Sequence, residues 1–268
     1  MRPGTAEKPQ SQAATAGVER ADHAQVGGVT VDRVSRSFTD RSGRSVQALR
    51  EVSLHAAPHE VLAVVGPSGC GKTTLLEMIC GLQTPDAGSV EAAPAALMAQ
   101  RDLLLPWRSA LDNAALPLQI SGMPRKQARA QALPLFCELG LEGFEHAHPH
   151  ELSGGMRQRV AFLRTLLAGK PVLCLDEPFG ALDAITRMQM QSWLAGALQR
   201  EPRTVVLVTH DVEEAVLLGD RVAVMSPRPG CVVQELTIEL PRPRSRGDRA
   251  IAELRELALQ ALGPEGRP

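Results

Sequence analysis

The sequence predicts an α/β fold with a largely parallel sheet and helices on both faces. Three observations carry that prediction. Short apolar runs at 61–65, 172–175, 205–208 and 222–225 alternate with segments of helical pattern. These runs are apolar at every position, as suits strands covered on both sides. The first run leads straight into Gly66-Pro67-Ser68-Gly69-Cys70-Gly71-Lys72-Thr73-Thr74, followed by Leu75-Leu76-Glu77-Met78-Ile79. Strand, glycine-rich loop and helix in that order, spaced G-x-x-x-x-G-K-[ST], make a phosphate-binding P-loop.

The remaining elements follow in chain order. Residues 1–28 lack an apolar core and are rich in Ala, Gly, Gln and charge, so a disordered tail rather than a signal peptide is expected. The ordered unit is expected over 29–268. Val29-Thr30-Val31 and the partly alternating 34–38 stretch read as strand. Asp40-Arg41-Ser42-Gly43 reads as a hairpin turn, and 46–49 and 52–55 as two further short strands of a small antiparallel sheet. Gly81 is expected to end the P-loop helix, with a turn at Pro85-Asp86-Ala87-Gly88 and a short strand at 95–98. From about 103 to 167 the pattern becomes helical, with helices at 109–116, 125–139 and 155–167, the second kinked or broken at Pro134. This block reads as a helical insertion into the α/β core. A helix at 184–199 follows the second apolar run. A strand at 232–240 and an amphipathic helix carrying Ile251, Leu254, Leu257, Leu259 and Leu262 close the chain, within about 230–262.

Composition narrows the function. At 268 residues the chain can bury a sizeable core. A net charge of −1 argues against a general nucleic-acid binder, so no nucleic-acid partner is expected. The five cysteines, Cys70, Cys80, Cys137, Cys174 and Cys231, contain no C-x-x-C pair, and a reducing compartment is expected. No apolar run approaches the roughly 18 residues that span a bilayer. Any membrane role must come through a partner.

In the P-loop, converging backbone N–H groups and the following helix N-terminus would hold an anion. Lys72 would reach the β- and γ-phosphates and the Thr73 hydroxyl would ligate Mg²⁺. The run Val172-Leu173-Cys174-Leu175-Asp176-Glu177 looks like a Walker B strand, with its carboxylates at the C-terminal edge of the sheet. Asp176 would then hold Mg²⁺ and Glu177 would orient or deprotonate the attacking water. Read locally, an acidic turn after a strand is common; downstream of a P-loop the pairing is specific. Leu152-Ser153-Gly154-Gly155-Met156-Arg157-Gln158-Arg159 reads locally as an N-capped helix start. That reading leaves the rest of the octet unexplained.

The octet resembles the LSGGQ signature of ATP-binding cassette (ABC) ATPases, with Met156 where the family usually has Gln. The resemblance covers about 29–229 and implies the P-loop ABC-ATPase fold, with an N-terminal antiparallel subdomain and an inserted helical one. It implies that the signature closes over ATP held by a partner's P-loop. Ser153, Gly154 and Gly155 would then act in trans within a homodimer. Gln100 matches the Q-loop, which senses Mg²⁺ and γ-phosphate. Ala181-Leu182-Asp183 matches the D-loop at the dimer interface, and His210 the switch histidine. Phe38 stands where the family places an adenine-stacking aromatic; a plain core Phe is the competing reading.

Leu104-Leu105-Pro106-Trp107 and Pro178-Phe179-Gly180 look like the nitrate/sulfonate/taurine importer branch, which includes ATPases for thiamine-pyrimidine precursors. Membership implies transmembrane permease subunits, a solute-binding protein acting indirectly, and a peripheral place on the cytoplasmic face of the membrane. A soluble ABC ATPase acting on DNA or ribosomes would show a coiled coil, zinc insert or tandem cassette. An exporter ATPase would share the catalytic set, but the Leu-Pro-Trp segment and single cassette favour an importer. A non-ABC P-loop kinase would lack the Ser153–Arg159 and His210 features. His146, His148 and His150 read as a loop leading into the signature. Cys70, at a helix N-terminus, is expected to be a reactive thiolate that MgATP protects.

Overall fold

The computed structural model describes residues 27–39 and 42–263. Residues 1–26 of the tail expected over 1–28, residues 40 and 41 of the expected hairpin turn, and 264–268 lie outside them. Gly27 and Gly28, expected in the tail, are buried, and Gly28 O accepts from Ala93 N–H at 3.2 Å, so the ordered part begins two residues earlier. The apolar runs form one sheet in the order β5 (Ala95–Met98), β6 (Val172–Asp176), β7 (Thr204–Thr209), β3 (Val61–Val65), β8 (Arg221–Met225) and β9 (Val232–Thr237). Neighbours are parallel except β8 and β9. Every residue of β3, β6 and β7 is buried, because both faces are covered. Leu173, Leu175, Val205 and Leu207 pack with Phe162, Phe179 and Leu194 on one side. Val172, Cys174, Val206 and Val208 pack with Leu75 and Leu76 on the other.

A second, antiparallel sheet has the order β2 (Ser45–Ala56), β1 (Val29–Thr39), β4 (Ala87–Ala92). Where two short strands were expected, β2 runs unbroken. Glu51 takes a positive φ of 47° and the ladder shifts register between Val34 and Ser37, which resets the inward face without ending the strand. β4 begins inside the expected Pro85–Gly88 turn; its mostly exposed residues carry no periodic signal.

α1 (Lys72–Ile79) ends as expected at Gly81, whose N–H reaches Met78 O while Leu82 N–H reaches Glu77 O. The expected 109–116 helix divides into α2 (Ala110–Ala114) and α3 (Leu116–Ile120), with Pro117 in the first turn of the second, where no N–H is needed. α4 (Arg125–Glu138) continues through Pro134. Ala128, Ala132 and Phe136 bury one stripe of this helix, whereas Pro134 and Ala130, whose carbonyl loses its partner, face solvent. α5 (Gly154–Leu166) and α6 (Ala184–Arg200) complete the layer, and Phe162 stands edge-on to Trp193 at 5.9 Å. Beyond the sheet lie α7 (Val212–Leu218) and α8 (Arg249–Leu262). The strand expected to reach 240 stops at Thr237, since Ile238 N–H turns to Asp220 O.

Glu214 on α7 is 3% exposed and accepts from Gln191 Nε2 at 3.1 Å, while its Oε1 has no partner among the described residues. Burial, and then the charge of Asp211, pushes its carboxyl from 4.5 up to about 7. The folded chain therefore holds this proton where the unfolded chain has lost it, and stability falls as pH rises through that window. Glu214→Gln removes the penalty. It is expected to raise the unfolding free energy by about 3 kcal/mol at pH 8 and to change it little at pH 4. Chemical denaturation at both pH values measures this, and an equal effect at both would contradict it.

Candidate nucleotide site

β3 delivers the P-loop to the C-terminal edge of the sheet. Gly69 and Gly71 take φ values of 78° and 102°, a left-handed backbone that folds the loop around its own N–H groups. Lys72 opens α1 and is 7% exposed; its Nζ turns back to Gly66 O at 2.7 Å and Pro67 O at 3.0 Å. Thr73 Oγ1 donates to Asp176 Oδ2 at 2.7 Å, joining the P-loop helix to the end of β6. Burial pushes the Asp176 carboxyl up, with the Thr73 bond opposing. Among the described residues no cation pairs with Asp176 at bonding distance, and the Lys72 ammonium acts on this buried carboxyl through its charge alone.

Glu177 is the meeting point of the site. Its Oε2 lies 3.1 Å from His210 Nδ1 and accepts from Gln100 Nε2 at 3.5 Å. Its backbone has a positive φ of 47°, a conformation that costs a non-glycine residue about 1 kcal/mol or more. Three bonds hold it there, Glu177 N–H to Val208 O at 2.8 Å, Gln158 Nε2 to Glu177 O at 3.0 Å and Gly180 N–H to Glu177 O at 3.1 Å. Gln158 sits on α5 within the Leu152–Arg159 octet; its position could have been read from the sequence, but its bond to Glu177 could not.

A cavity of about 530 Å³ opens over these groups, lined by Phe38, Ser68, Gly69, Gly71, Lys72, Thr73, Thr74, Gln100, Asp176, Glu177 and Arg228. Phe38 is 37% exposed on its lip, with the Arg36 guanidinium 5.1 Å from the ring centroid and pinned by Asp86. A fully packed core Phe is thereby excluded at this position. Gly66 and Pro67 stand behind Lys72 as its carbonyl partners. Cys70 is 1% exposed, and burial pushes its thiol up despite Lys72 3.8 Å away. The reactive thiolate expected there is therefore corrected: helix-terminus attraction loses to desolvation.

Ser153, Gly154, Gly155 and Asp183 do not line the cavity. Ser153 caps α5, its Oγ accepting from Met156 N–H at 3.2 Å. Gly155 packs on the Ala181–Leu182 turn, where a Cβ would stand 3.1 Å from Leu182 Cδ2. Asp183 caps α6 through Ile185 and Thr186 N–H, and the Thr186 hydroxyl bond holds its carboxyl down. His148 and His150 stack on each other at 5.9 Å in the turn before the octet.

The fold and this constellation define a P-loop nucleotide-binding protein with a Walker-type acidic strand. An ABC transporter family model matches residues 49–180. An uncharacterized ABC transporter ATP-binding protein of Methanocaldococcus jannaschii is 41% identical over 244 residues, 88% of this chain and 91% of that one. Aliphatic sulfonates import ATP-binding protein SsuB 1 of Rhodococcus jostii is 46% identical over 226 residues, covering 82% and 89%. Taurine import ATP-binding protein TauB of Rhizobium johnstonii is 44% identical over 221 residues, covering 79% and 84%. Among solved structures, a dimeric ATP-binding cassette in a post-hydrolysis state bound to ADP and Pi superposes with a TM-score of 0.72 at 29% identity, over 79% of this chain and 99% of that one. The chain belongs to the ABC transporter family, as its ATP-binding, ATP-hydrolysing subunit.

Proposed function

We propose that the chain powers import of taurine or a related sulfonate through permease subunits, working as a homodimer on the cytoplasmic face of the membrane. The names of relatives at 44–46% identity support the solute class. No helix among the described residues is long and apolar enough to cross a membrane, and in this reading permease subunits supply the pore. The dimer rests on one observation. The P-loop, Gln100, Asp176 and Glu177 share a cavity that Ser153, Gly154 and Gly155 do not reach. That separation supports closure by the signature of a second copy, each P-loop facing the opposite α5 N-terminus, with Asp183 at the interface.

In this reading Phe38 stacks the adenine, and residues 66–74 wrap the phosphates. Lys72 leaves the Gly66 and Pro67 carbonyls for the β- and γ-phosphate oxygens. The Thr73 hydroxyl, the buried Asp176 carboxylate and the Gln100 amide oxygen are hard donors that fit Mg²⁺, which when bound would neutralise charge on the phosphates. Glu177 aligns a water and takes its proton as the water oxygen attacks the γ-phosphorus in line. The bond to the β–γ bridging oxygen breaks, giving ADP and phosphate. His210 and Gln100 hold the Glu177 carboxylate, and the partner's Ser153 hydroxyl and Gly155 N–H meet charge developing on the γ-phosphate.

Uptake of labelled taurine by the host cell tests the solute and the coupling together. Deleting this chain is expected to abolish ATP-driven uptake, with rescue by the wild type and not by Glu177→Gln. Undiminished uptake in the deletion would contradict the assignment.

A further inference from the structure

The nucleotide cavity contains a guanidinium that belongs to none of the sequence motifs. Arg228, in the loop between β8 and β9, lines the cavity beside the P-loop. Its Nε donates to Gly69 O at 3.0 Å, and its Nη2 lies 3.1 Å from where a Cβ on Gly69 would stand. It is exposed, and no carboxylate pairs with it among the described residues.

The backbone puts it there. Gly230 N–H donates to Ala48 O at 2.8 Å and Arg50 N–H donates to Gly230 O at 2.9 Å, tying the loop to β2. The Ser226 hydroxyl accepts from Cys231 N–H at 3.1 Å and closes the turn. A Cβ on Gly230 would overlap the Cys70 carbonyl, so the loop lies directly against the back of the P-loop. An arginine delivered by a built loop to the lip of a phosphate cradle, with no acid to neutralise it, presents free donors where anionic oxygens arrive. A guanidinium is the side chain best shaped to grip such oxygens in pairs.

We propose that Arg228 is a further nucleotide-binding residue, which takes oxygens of the phosphates beyond the α-phosphate alongside Lys72. The assignment rests on the nucleotide-site reading above. It makes the β8–β9 loop part of the site and lets the protein tell ADP and ATP from AMP by more than the P-loop alone.

Binding titrations of ATP, ADP and AMP to the wild type, Arg228→Ala and Arg228→Lys test it. Arg228→Ala is expected to weaken ATP and ADP about tenfold and AMP less than about twofold, with Arg228→Lys between. Because the side chain is exposed and buries no apolar surface, an unchanged melting temperature is expected alongside. Wild-type affinity for ATP and ADP in Arg228→Ala would overturn this assignment alone, as would an equal loss for AMP. A wild type that binds no nucleotide would overturn the site reading and this assignment with it.

Discussion

Glu177→Gln is expected to bind MgATP as tightly as the wild type and to turn it over at least about 100-fold more slowly. The substitution keeps the shape of the side chain and an oxygen for the His210 and Gln100 contacts at 3.1 and 3.5 Å. It removes the carboxylate that takes the water's proton. The backbone at Glu177, held by Val208 and Gln158, has no reason to move. Phosphate release under saturating ATP measures the effect. Turnover near the wild-type rate would remove Glu177 from the chemistry and leave its left-handed backbone without a function.

Lys72→Ala acts one step earlier. Its ammonium now holds the carbonyls of Gly66 and Pro67, and in the bound state would hold phosphate oxygens instead. Losing a charge-assisted contact of this kind costs about 1.5–3 kcal/mol, so ATP affinity is expected to fall roughly ten- to a hundredfold. The effect on adenosine should be small, since the lysine touches only phosphate. Equilibrium titration of both ligands reads the difference. Equal affinity of the variant and the wild type for ATP would overturn the P-loop assignment.

The parts of the molecule legible in the sequence are those written in local pattern. Continuous apolar runs marked β3, β6, β7 and β8, since a strand covered on both faces has no polar side to confuse the period. The P-loop was legible because glycine spacing, a lysine and a helix start must occur together within nine residues. Features set by distant partners were not legible. β4 carries no periodicity because its residues are mostly exposed. β2 holds together across Glu51 because β1 pairs with it on either side of the register shifts and Gly230 bonds to Ala48 and Arg50. Pro134 reads as a break, yet the buried stripe of Ala128, Ala132 and Phe136 keeps α4 continuous. Cys70 misleads for the same reason: the helix terminus is visible in the sequence, and the burial that overrides it is not.

The motif residues divide in space in a way the sequence order conceals. Gln100, Asp176 and Glu177 join the P-loop around one cavity, with His210 bonded to Glu177 from beside it. Ser153, Gly154, Gly155 and Asp183 serve local helix starts and packing in the single chain, with their outward sides free for another molecule. Gln158 and Arg228 were missed because each acts through a contact between segments far apart in the chain.

In the proposed dimer, ATP held by one P-loop is completed by the Ser153–Gly155 turn of a second copy. The mass of the Glu177→Gln chain in solution tests it most directly, because that variant should bind ATP without consuming it. With MgATP the species should have twice the mass of one chain, and with ADP or without nucleotide it should have the mass of one. A variant saturated with ATP that nevertheless stays at the mass of one chain would contradict the account.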